Sequence, residues 1–474
     1  MNRTKIQKVM LISPYPYETK EINEATHYPP MGLAYAASYL EEKGLICNIL
    51  DANLFRLGFH ELMAKIKEFN PDLIGITANI AFIREAMSIS KESKNMGKYV
   101  LIGGPSSMGN TEYILNNSNA DAVISGEGEV VMWNFINVIN HNRDFDELRG
   151  ISCIKRGAFI RNEKEEPIQD VDNIPFPAYH LLPNLGLYES RSRKHPVAPI
   201  VTSRGCPYQC SFCLSQNTGW RPRSPENVLR EIEMLVNKFG VRQIDILDDN
   251  FTLDAKRAER ILDMIIAKKW NLAIAFPNGL RADRLTENIV HKMKLAGVYK
   301  TGIGIESGEQ EIVTRSKKGL ILERVNQAVN WFRKEGIIVF GFFMFGLPGE
   351  TKESMEKTIK FAKKLNPHYA NFGVTVPLAG TTLYNELKDA GHLDEDTEEG
   401  IKTGYYSIKE GYYNTGNLKK EEIYEFSKKA YRDFYFRPSK IWDMVKTIKS
   451  YRELKWTMAT SWPLIKGVFS AKSS

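Results

Sequence analysis

The sequence predicts an α/β protein in which a doubly wound, Rossmann-like domain precedes a partial (βα)6 barrel of the TIM type and a mostly helical C-terminal region. Two series of short apolar runs that alternate with helical patterns predict this architecture, because strands joined by helices form parallel sheets. The first series occupies residues 1–145 and the second occupies residues 196–376. Residues 146–195 are interpreted as a hairpin and connector, and residues 377–474 as the C-terminal region.

The first series predicts a parallel sheet of five strands. The predicted strands are Val9–Ser13, Ile46–Leu50, Leu73–Thr77, Tyr99–Gly103 and Ala122–Ser125, and the predicted helices are Gly32–Lys43, Phe82–Met96 and Val130–Asn140. In such a sheet, ligands bind beyond the carboxyl ends of the strands.

Turn residues are concentrated at those carboxyl ends. The segments are Ser13-Pro14-Tyr15-Pro16, Thr77-Ala78-Asn79, Gly103-Gly104-Pro105 and Gly126-Glu127-Gly128-Glu129. Each could be a plain turn, since glycine is common in loops. Four of them on one edge of a sheet predict a site for a large ligand.

The pattern from Gly150 to Arg161 predicts a small hairpin, and Ile174-Pro175-Phe176-Pro177 marks a domain boundary. The second series follows. Its predicted strands are Ile200–Ser203, Gln243–Leu247, Ala273–Phe276, Thr301–Ile305, Ile337–Phe343 and Ala370–Val374, and its predicted helices are Pro225–Lys238, Ala255–Lys268, Thr286–Leu295, Glu323–Lys334 and Glu353–Lys364. In an open barrel of this kind, functional groups lie at the carboxyl ends of the strands.

Charge and hydropathy exclude several classes of protein. The net charge is +7, but residues 401–474 alone carry 15 Lys plus Arg against 7 Asp plus Glu, so the rest of the chain is about neutral. This distribution does not fit a nucleic-acid-binding protein. No apolar run approaches the roughly 20 residues that span a bilayer, and the N-terminus lacks a signal-peptide core. We therefore expect a cytoplasmic protein.

The basic tail allows two interpretations. Residues 419–469 have a helical pattern in which Ile441, Val445, Ile448 and Tyr451 share a face, and Trp456 and Trp462 follow. Interspersed cations are Lys440, Lys446, Lys449, Arg452 and Lys455. The tail is either a helical cap on the barrel or a peripheral contact with an anionic membrane, and the two roles are compatible.

The five cysteines divide into two groups. Cys47 and Cys153 lie in apolar, strand-like runs and are expected to be small buried hydrophobes. Cys206, Cys210 and Cys213 follow the first strand of the second series and can surround one iron–sulfur cubane, which usually takes four cysteines. With three ligands, one iron stays open for another molecule. A structural zinc site normally needs four ligands, and no neighbouring His or Cys supplies a fourth.

The cysteine spacing resembles the Cys-x3-Cys-x2-Cys signature of the radical S-adenosylmethionine superfamily. The resemblance covers about residues 195–375 and includes Phe212 before the last cysteine. It implies that the three cysteines hold a [4Fe–4S] cluster and that other strand ends bind S-adenosylmethionine. The implied residues are Asp248 and Asp249, which replace the Gly-Gly-Glu of many members, Glu306 and Ser307 on the ribose side, and Gly346 and Gly349 on the adenine side.

Two of these assignments have alternatives. Asp248 and Asp249 could instead form a helix-capping pair. Arg281, after the third strand, could contact a carboxylate or form a surface ion pair.

The first series resembles the cobalamin-binding subgroup of the same superfamily. The matching residues are Pro30 and Gly32 within Pro29–Ala34, Thr77, Gly103, Gly104, Gly126, Glu127, Gly128 and Glu129. The first loop, Pro14–Glu18, lacks the histidine that ligates cobalt in many cobalamin proteins, and His27 stands outside such a motif. The resemblance implies that no histidine replaces the lower ligand of the cobalt. A domain of this shape without a cofactor is the alternative.

Together the two resemblances imply methylation of an unactivated carbon of a small molecule or lipid through a 5′-deoxyadenosyl radical. A flavodoxin- or ferredoxin-type protein would supply electrons. Cyclisation, oxidation or rearrangement of a lipid or tetrapyrrole-like substrate is a second possibility within the family. An iron–sulfur binding or electron-transfer module is a third, which the open iron disfavours.

Overall fold

The computed structural model describes residues 5–16, 27–188, 192–403, 412–415 and 418–458. It divides into two compact units: Met1–Tyr188 with Glu398–Tyr406, and Glu189–Thr397 with Ser407–Ser474. Tyr17 and Glu18 of the first loop, as well as Trp462 in the tail, lie outside the described residues.

The first unit is built on one sheet with helices around it. Its elements are β1 (Lys8–Ser13), α1 (Met31–Glu42), β2 (Ile46–Asp51), α2 (Ala52–Phe55), α3 (Phe59–Phe69), β3 (Leu73–Thr77), α4 (Ile83–Asn95), β4 (Tyr99–Gly103), α5 (Ser107–Ser118), β5 (Ala122–Ile124), α6 (Gly128–Asn140), β6 (Ile151–Lys155) and β7 (Ala158–Arg161).

The strand order of this sheet is β2-β1-β3-β4-β5-β6-β7. The first five strands are parallel, as the sequence predicts, and most of their apolar side chains are buried because helices cover a parallel sheet on both faces. The predicted hairpin forms β6 and β7, which extend the sheet as antiparallel strands. Cys47 and Cys153 are buried, so their predicted role as small hydrophobes is confirmed.

Three helices of this unit were not predicted: α2, α3 and α5. The last has a non-helical residue, Asn110, in its interior, and its polar composition hides a helical period. Helix α6 begins at Gly128, two residues before the predicted start, so Gly128 and Glu129 belong to a helical first turn rather than to a loop.

The chain from residue 189 onward forms a second sheet and a set of helices. Its elements are β8 (Val197–Ile200), β9 (Ser203–Arg204), β10 (Arg221–Pro222), α7 (Pro225–Phe239), β11 (Gln243–Ile246), α8 (Ala255–Lys268), β12 (Ala273–Leu280), α9 (Glu287–Ala296), β13 (Val298–Glu306), α10 (Gln310–Arg315), α11 (Leu322–Lys334), β14 (Ile338–Phe345), α12 (Lys352–Leu365), β15 (Tyr369–Val374), α13 (Thr382–Asp389), α14 (Glu395–Thr403), α15 (Lys420–Tyr435) and α16 (Pro438–Thr447).

Six strands form one parallel sheet in the order β15-β14-β13-β12-β11-β8. The order follows the sequence, with β8 and β15 at the edges, which is the arrangement of a partial (βα)6 barrel. The predicted α/β fold class is therefore confirmed for both units.

The predicted strand Ile200–Ser203 was wrong in its position, because β8 runs from Val197 to Ile200. The backbone N–H of Thr202 donates to the Asp248 carboxylate (2.6 Å) instead of to a neighbouring strand, and the Thr202 carbonyl accepts from Arg223 N–H (3.0 Å). These contacts turn the chain away from the sheet two residues after β8 ends. Ser203 then pairs with Pro222 in a short antiparallel ladder.

The tail caps the end of the second sheet. Ser427 Oγ in α15 donates to the Phe372 carbonyl (2.6 Å), and Phe434 packs edge-on against the Phe372 ring at 5.7 Å. The predicted helical stretch is interrupted between α15 and α16, where Pro438 opens a new helix, and residues 451–458 form a further helical segment. Among the described residues, no helix is both long enough and apolar enough to cross a membrane.

Candidate active site

The three clustered cysteines lie on a loop that leaves the carboxyl end of β8. Thr218 N–H donates to the Cys206 carbonyl (3.1 Å), and Asn217 N–H donates to the Tyr208 carbonyl (2.8 Å), so the two arms of the loop are joined. At its neck, Gly205 has a φ of 79°, and a Cβ there would overlap the Gly219 carbonyl oxygen. Only glycine fits this position, and the loop is therefore closed tightly below the thiols.

The three thiols are free, partly exposed and close enough to influence one another. Burial raises the pKa of each, and ionised Cys206 and Cys210 add to that effect on Cys213. The positive charges of Lys318 and Arg281 partly offset this effect, because they lower the pKa of Cys210. Metal ligation requires the thiolate, so these cations favour the form that binds iron.

The two aspartates after β11 have different environments. The Asp248 carboxylate is buried and accepts from Thr202 N–H, Thr202 Oγ1 and Ser203 Oγ, each at 2.6 Å. Asp249 is exposed, and its negative charge raises the pKa of Cys206 and Cys213 in addition to burial. Asp248 therefore braces the start of the cysteine loop, whereas Asp249 is hydrogen-bonded to the Ser215 side chain and keeps an exposed carboxylate beside the thiols.

A buried ion pair lies at the carboxyl end of β13. Lys318 Nζ is 2.6 Å from Glu306 Oε1, and both side chains are about nine-tenths buried. Glu306 has a φ of 69°, a left-handed conformation that is strained for a residue with a side chain. Such strain persists where the surroundings impose it, often at functional sites.

Arg281 connects this ion pair to the cysteine loop. Its guanidinium lies 3.5 Å from the centre of the ring of Tyr208, a residue that stands between Cys206 and Cys210 in the sequence. Arg281 donates a hydrogen bond from Nη1 to the Lys318 carbonyl (2.9 Å). It also pairs with Asp283 (3.1 Å). Of the two interpretations of Arg281, an ion pair is thus present, but at a buried position beside the thiols rather than on the surface.

Ser307 is fully buried and its hydroxyl lies 3.1 Å from Thr358 Oγ1 in α12. The Ser307 hydroxyl also accepts from Glu309 N–H (3.2 Å). In the structure this side chain joins the end of β13 to a neighbouring helix.

The turn after β14 is held from two sides. Gly346 N–H donates to Glu350 Oε2 (2.6 Å), Leu347 N–H donates to the same oxygen (3.1 Å), and the Tyr413 hydroxyl donates to the Gly346 carbonyl. Burial raises the pKa of Glu350 to about 8. Gly349 completes the turn against the Arg315 side chain.

Phe212 has a packing role. Its ring lies against a small apolar cluster formed by Leu383, Leu387 and Tyr413. Because Tyr413 also holds the Gly346 turn, the cluster against which Phe212 packs is joined to the turn after β14.

The cysteine loop and the strand ends of the second unit carry buried polar atoms that have no hydrogen-bond partner among the described residues. They are Ser211 Oγ, both side-chain polar atoms of Asn250, Thr252 Oγ1, Glu350 Oε1 and Thr375 Oγ1. An unpaired buried polar group costs about 1–3 kcal/mol, which a polar ligand can offset. The donor set and these atoms fit a cluster and a polar nucleoside ligand.

Within the described part of the chain, no three His, Cys, Asp or Glu side chains are grouped as ligands of a single metal ion. In a cubane, each cysteine binds a different iron, so its thiols are spread more widely than the ligands of one ion.

The carboxyl edge of the first unit is formed largely by backbone. Ala78 N–H donates to the Gly103 carbonyl, Ser106 N–H donates to the Ala78 carbonyl, and Ser107 Oγ donates to the Gly104 carbonyl (2.7 Å). Gly104 has a φ of 111°, and a Cβ there would lie 2.8 Å from Ala78 O and from Thr77 Oγ1. The loops after β3 and β4 therefore approach as closely as backbone allows.

Other predicted residues of this edge surround open space. Beyond the adjoining residues and the backbone of the same helix, no described atom lies within 4 Å of where a Cβ would be at Gly32 or Gly126. Pro30 precedes α1, and its carbonyl accepts from Leu33 N–H and Ala34 N–H, while Glu127 precedes α6. His27 Nδ1 and Asn53 Oδ1 are buried without a hydrogen-bond partner among the described residues. An open, glycine-lined edge with unpaired polar atoms fits a bulky ligand rich in amides, such as cobalamin.

Comparison with known proteins defines the family. The model of the radical SAM superfamily matches residues 200–362, and that of the B12 binding domain matches residues 23–135. An uncharacterized methyltransferase from Pyrococcus horikoshii is 34% identical over 441 residues, which cover 92% of this chain and 94% of that protein. The chain belongs to the cobalamin-binding radical S-adenosylmethionine enzymes. Its cofactors are a [4Fe–4S] cluster, S-adenosylmethionine and cobalamin, as predicted.

Two further relatives of this enzyme have different names. A cytidylyl-2-hydroxyethylphosphonate methyltransferase from Streptomyces wedmorensis is 28% identical and covers 93% of each chain. An anaerobic magnesium-protoporphyrin IX monomethyl ester cyclase from Rubrivivax gelatinosus is 29% identical, and the match covers 81% of this chain and 70% of that protein.

A solved structure has the same fold. The radical S-adenosylmethionine methyltransferase TsrM from Kitasatospora setae, with cobalamin and a [4Fe-4S] cluster bound, matches with a TM-score of 0.72 and 16% identity. The match covers 98% of this chain and 99% of that one.

Sequence reasoning missed Lys318, Glu350 and Tyr413. Lys318 stands in Lys317-Lys318-Gly319, and nothing local distinguishes it from the exposed Lys317. Glu350 follows the predicted turn directly, and its spacing from Gly346 could have revealed its role. A carboxylate four residues after Gly346 can accept hydrogen bonds from the backbone N–H groups of the turn. Tyr413 lies 67 residues from its partner, and no local pattern reveals that contact.

Proposed function

We propose that this enzyme methylates an unactivated carbon of a small-molecule substrate. The observation that carries the proposal is the loop of Cys206, Cys210 and Cys213 beside the buried Glu306–Lys318 pair, in a chain that also contains a B12 binding domain. Two relatives that match more than nine-tenths of the chain bear methyltransferase names, and they support this reaction type.

The bound cofactors supply one-electron cleavage of a carbon–sulfur bond and a carrier for the methyl group. In sum, R–H, two S-adenosylmethionine cations and two electrons give R–CH3, S-adenosylhomocysteine, methionine and 5′-deoxyadenosine. A flavodoxin- or ferredoxin-type donor for the electrons is part of the proposal.

The chain's own residues bind and orient these groups. We assign the three cysteines to three irons of the cluster. Lys318, a buried cation whose charge reaches Cys210, suits the carboxylate of S-adenosylmethionine, and the exposed Asp249 suits its amino group. Asp248 positions the loop through Thr202 and Ser203, so its contribution is indirect.

The remaining predicted contacts stay part of the proposal. Glu306 and Ser307 are assigned to the ribose side, and the Gly346–Gly349 turn to the adenine side. Phe212 supports the loop from behind. In the first unit, the edge assigned to cobalamin consists of Pro30, Gly32, Thr77, Gly103, Gly104, Gly126, Glu127, Gly128 and Glu129.

A second reaction, cyclisation, oxidation or rearrangement without net methylation, is favoured by one observation. The cyclase relative is as similar in sequence as the phosphonate methyltransferase, at 29% against 28% identity. A lipid or tetrapyrrole-like substrate belongs to this alternative, and a lipid is also a candidate acceptor for methylation. Exposed apolar side chains in residues 438–458 support a substrate found at a membrane.

Anaerobic reconstitution with both cofactors tests the proposal. Incubation with S-adenosylmethionine, reductant and candidate substrates should give 5′-deoxyadenosine and S-adenosylhomocysteine in equal amounts, and a product heavier by one CH2 unit. 5′-Deoxyadenosine with an unmethylated product would support the second reaction instead. A protein that retains its cluster yet forms neither compound would contradict both.

A further inference from the structure

The end of the described chain presents apolar side chains to solvent. In α16, Ile441, Trp442 and Val445 are 52%, 62% and 50% exposed. In the 451–458 helical segment, Tyr451 is 81% exposed and Met458 is 65% exposed. Single exposed apolar residues are common, but a group of them on two successive helical segments marks an interaction surface.

The fold holds the opposite face of α16. Lys440 is buried and its Nζ donates to Asn366 Oδ1 (3.2 Å) and to the Pro367 carbonyl. Thr447, two turns later on the same face, is joined to the Tyr369 hydroxyl (2.7 Å). With this face anchored on the second unit, the helical period directs Ile441, Trp442 and Val445 outward.

The 451–458 segment repeats this arrangement. Tyr451, Leu454 and Met458 are spaced by three and four residues, share one face and are all exposed. On the other side, Glu453 forms an ion pair with Arg193 (2.9 Å).

The charges of this region are sorted in the same way. Residues 438–458 contain two acidic residues, Asp443 and Glu453, and both pair with arginines of the second unit, Arg333 and Arg193. Lys446, Lys449 and Lys455 are exposed, and Lys446 Nζ lies 5.5 Å from the Trp442 ring. The outward face therefore combines apolar and cationic side chains. It is complementary to a surface whose outer layer is anionic and whose interior is apolar.

We propose that residues 438–458 form a docking surface for an anionic lipid bilayer. The helical segments lie in the plane of the membrane, with Trp442, Val445, Tyr451 and Met458 at the level of the acyl-chain boundary and the lysines among the headgroups. The anchored face keeps the second unit on the aqueous side. This proposal goes beyond the proposed function and does not depend on it, since docking needs no catalysis.

Flotation of the full-length, cofactor-loaded enzyme with liposomes tests the surface. The enzyme should float with vesicles of phosphatidylcholine and phosphatidylglycerol, much less with phosphatidylcholine alone, and less again at high salt. Lys446→Gln and Lys449→Gln should each lower the partition coefficient about fivefold. Trp442→Ser with Tyr451→Ser should abolish flotation. Formation of 5′-deoxyadenosine by each variant, measured without lipid, should equal that of the wild type.

Leu295→Ser and Lys364→Gln are matched controls, because they remove an exposed apolar and an exposed basic side chain elsewhere on the same unit. They should float like the wild type. Absence of wild-type flotation with anionic vesicles, or flotation of the lysine variants equal to that of the wild type, would overturn the proposal. A lipid-free dimer that Trp442→Ser dissociates would assign the surface to a second copy of the chain instead.

Discussion

The two sheets of this enzyme present opposite kinds of carboxyl edge. In the first unit the edge is mostly backbone, with Gly103, Gly104 and Gly126 at the strand ends. In the second unit the equivalent edge carries thiols and a buried ion pair. A large macrocycle rich in amides needs room and shape, which glycine provides, whereas an iron–sulfur cluster and a charged sulfonium compound need ligands and countercharges.

This difference predicts different sensitivities to mutation. Added volume should damage the first edge, where backbone segments are already in contact. Loss of a ligand or a charge should damage the second, where each functional side chain has few substitutes. The following experiments test that contrast.

Cysteine replacement should have the largest effect. Cys206→Ala, Cys210→Ala or Cys213→Ala should abolish the iron–sulfur absorbance and 5′-deoxyadenosine formation, because each removes one iron ligand from a site that has three. Iron and sulfide analysis of anaerobically purified protein provides the measurement. Cys153→Ala, a buried thiol outside the loop, should keep the cluster. Retention of a full cluster in all three loop variants would contradict the assignment.

Removal of the Lys318 charge should come next. Lys318→Gln leaves Glu306 buried without its cation, and we expect a loss of about 3 kcal/mol in the free energy of unfolding. S-adenosylmethionine should bind the folded variant about tenfold more weakly, as loss of a charge-assisted contact implies. Denaturation curves and equilibrium dialysis provide the measurements.

The neighbouring Lys317 supplies the control for that prediction. Its pair with Glu386 is exposed, with the atoms 3.5 Å apart, so Lys317→Gln should change stability by less than about 1 kcal/mol. Equal effects of the two substitutions would show that the buried pair has no special role.

Added volume at Gly104 should affect the first unit alone. Gly104→Val combines a strained φ with a clash against Ala78 and Thr77, and should destabilise by about 1–3 kcal/mol while lowering cobalamin stoichiometry. Gly97 also has a positive φ, at 73°, but beyond its chain neighbours no described atom lies within 4 Å of a new Cβ, so Gly97→Val should retain cobalamin. Cluster content should stay unchanged in both. Normal cobalamin binding by Gly104→Val would remove this residue from the edge.

The last prediction concerns Glu350 and pH. Its pKa is raised from 4.5 to about 8 by burial, so the folded state keeps a proton that the unfolded state releases above about pH 4.5. This group should therefore make stability fall as pH rises from about 4.5 to about 8. Glu350→Gln should flatten that slope in urea denaturation measured across the range.

Glu353→Gln is the control, because Glu353 is exposed in the same region and hydrogen bonds lower its pKa. An unchanged slope in Glu350→Gln would indicate that Glu350 is ionised in the folded enzyme.

Local pattern predicted most strands and the cysteine loop, but not every boundary. Alternation of apolar runs located β3 and β4 to the residue, since buried parallel strands are continuously apolar. The same pattern misplaced β8. The strand ends before Thr202 because the Thr202 backbone N–H donates to Asp248, which lies 46 residues away in the sequence. The pattern also missed α5, whose interior kink at Asn110 obscures the helical period.

The sequence by itself determined the fold class and predicted which residues hold the cluster, because strand periodicity and the spacing of three cysteines are local properties of the chain. Only the tertiary structure decided that Asp248 braces the loop while Asp249 stays exposed, that Lys318 pairs with Glu306, and that Tyr413 holds the Gly346 turn. These pairings join residues far apart in sequence. Burial and geometry select their partners, and both arise only when the strands and helices pack.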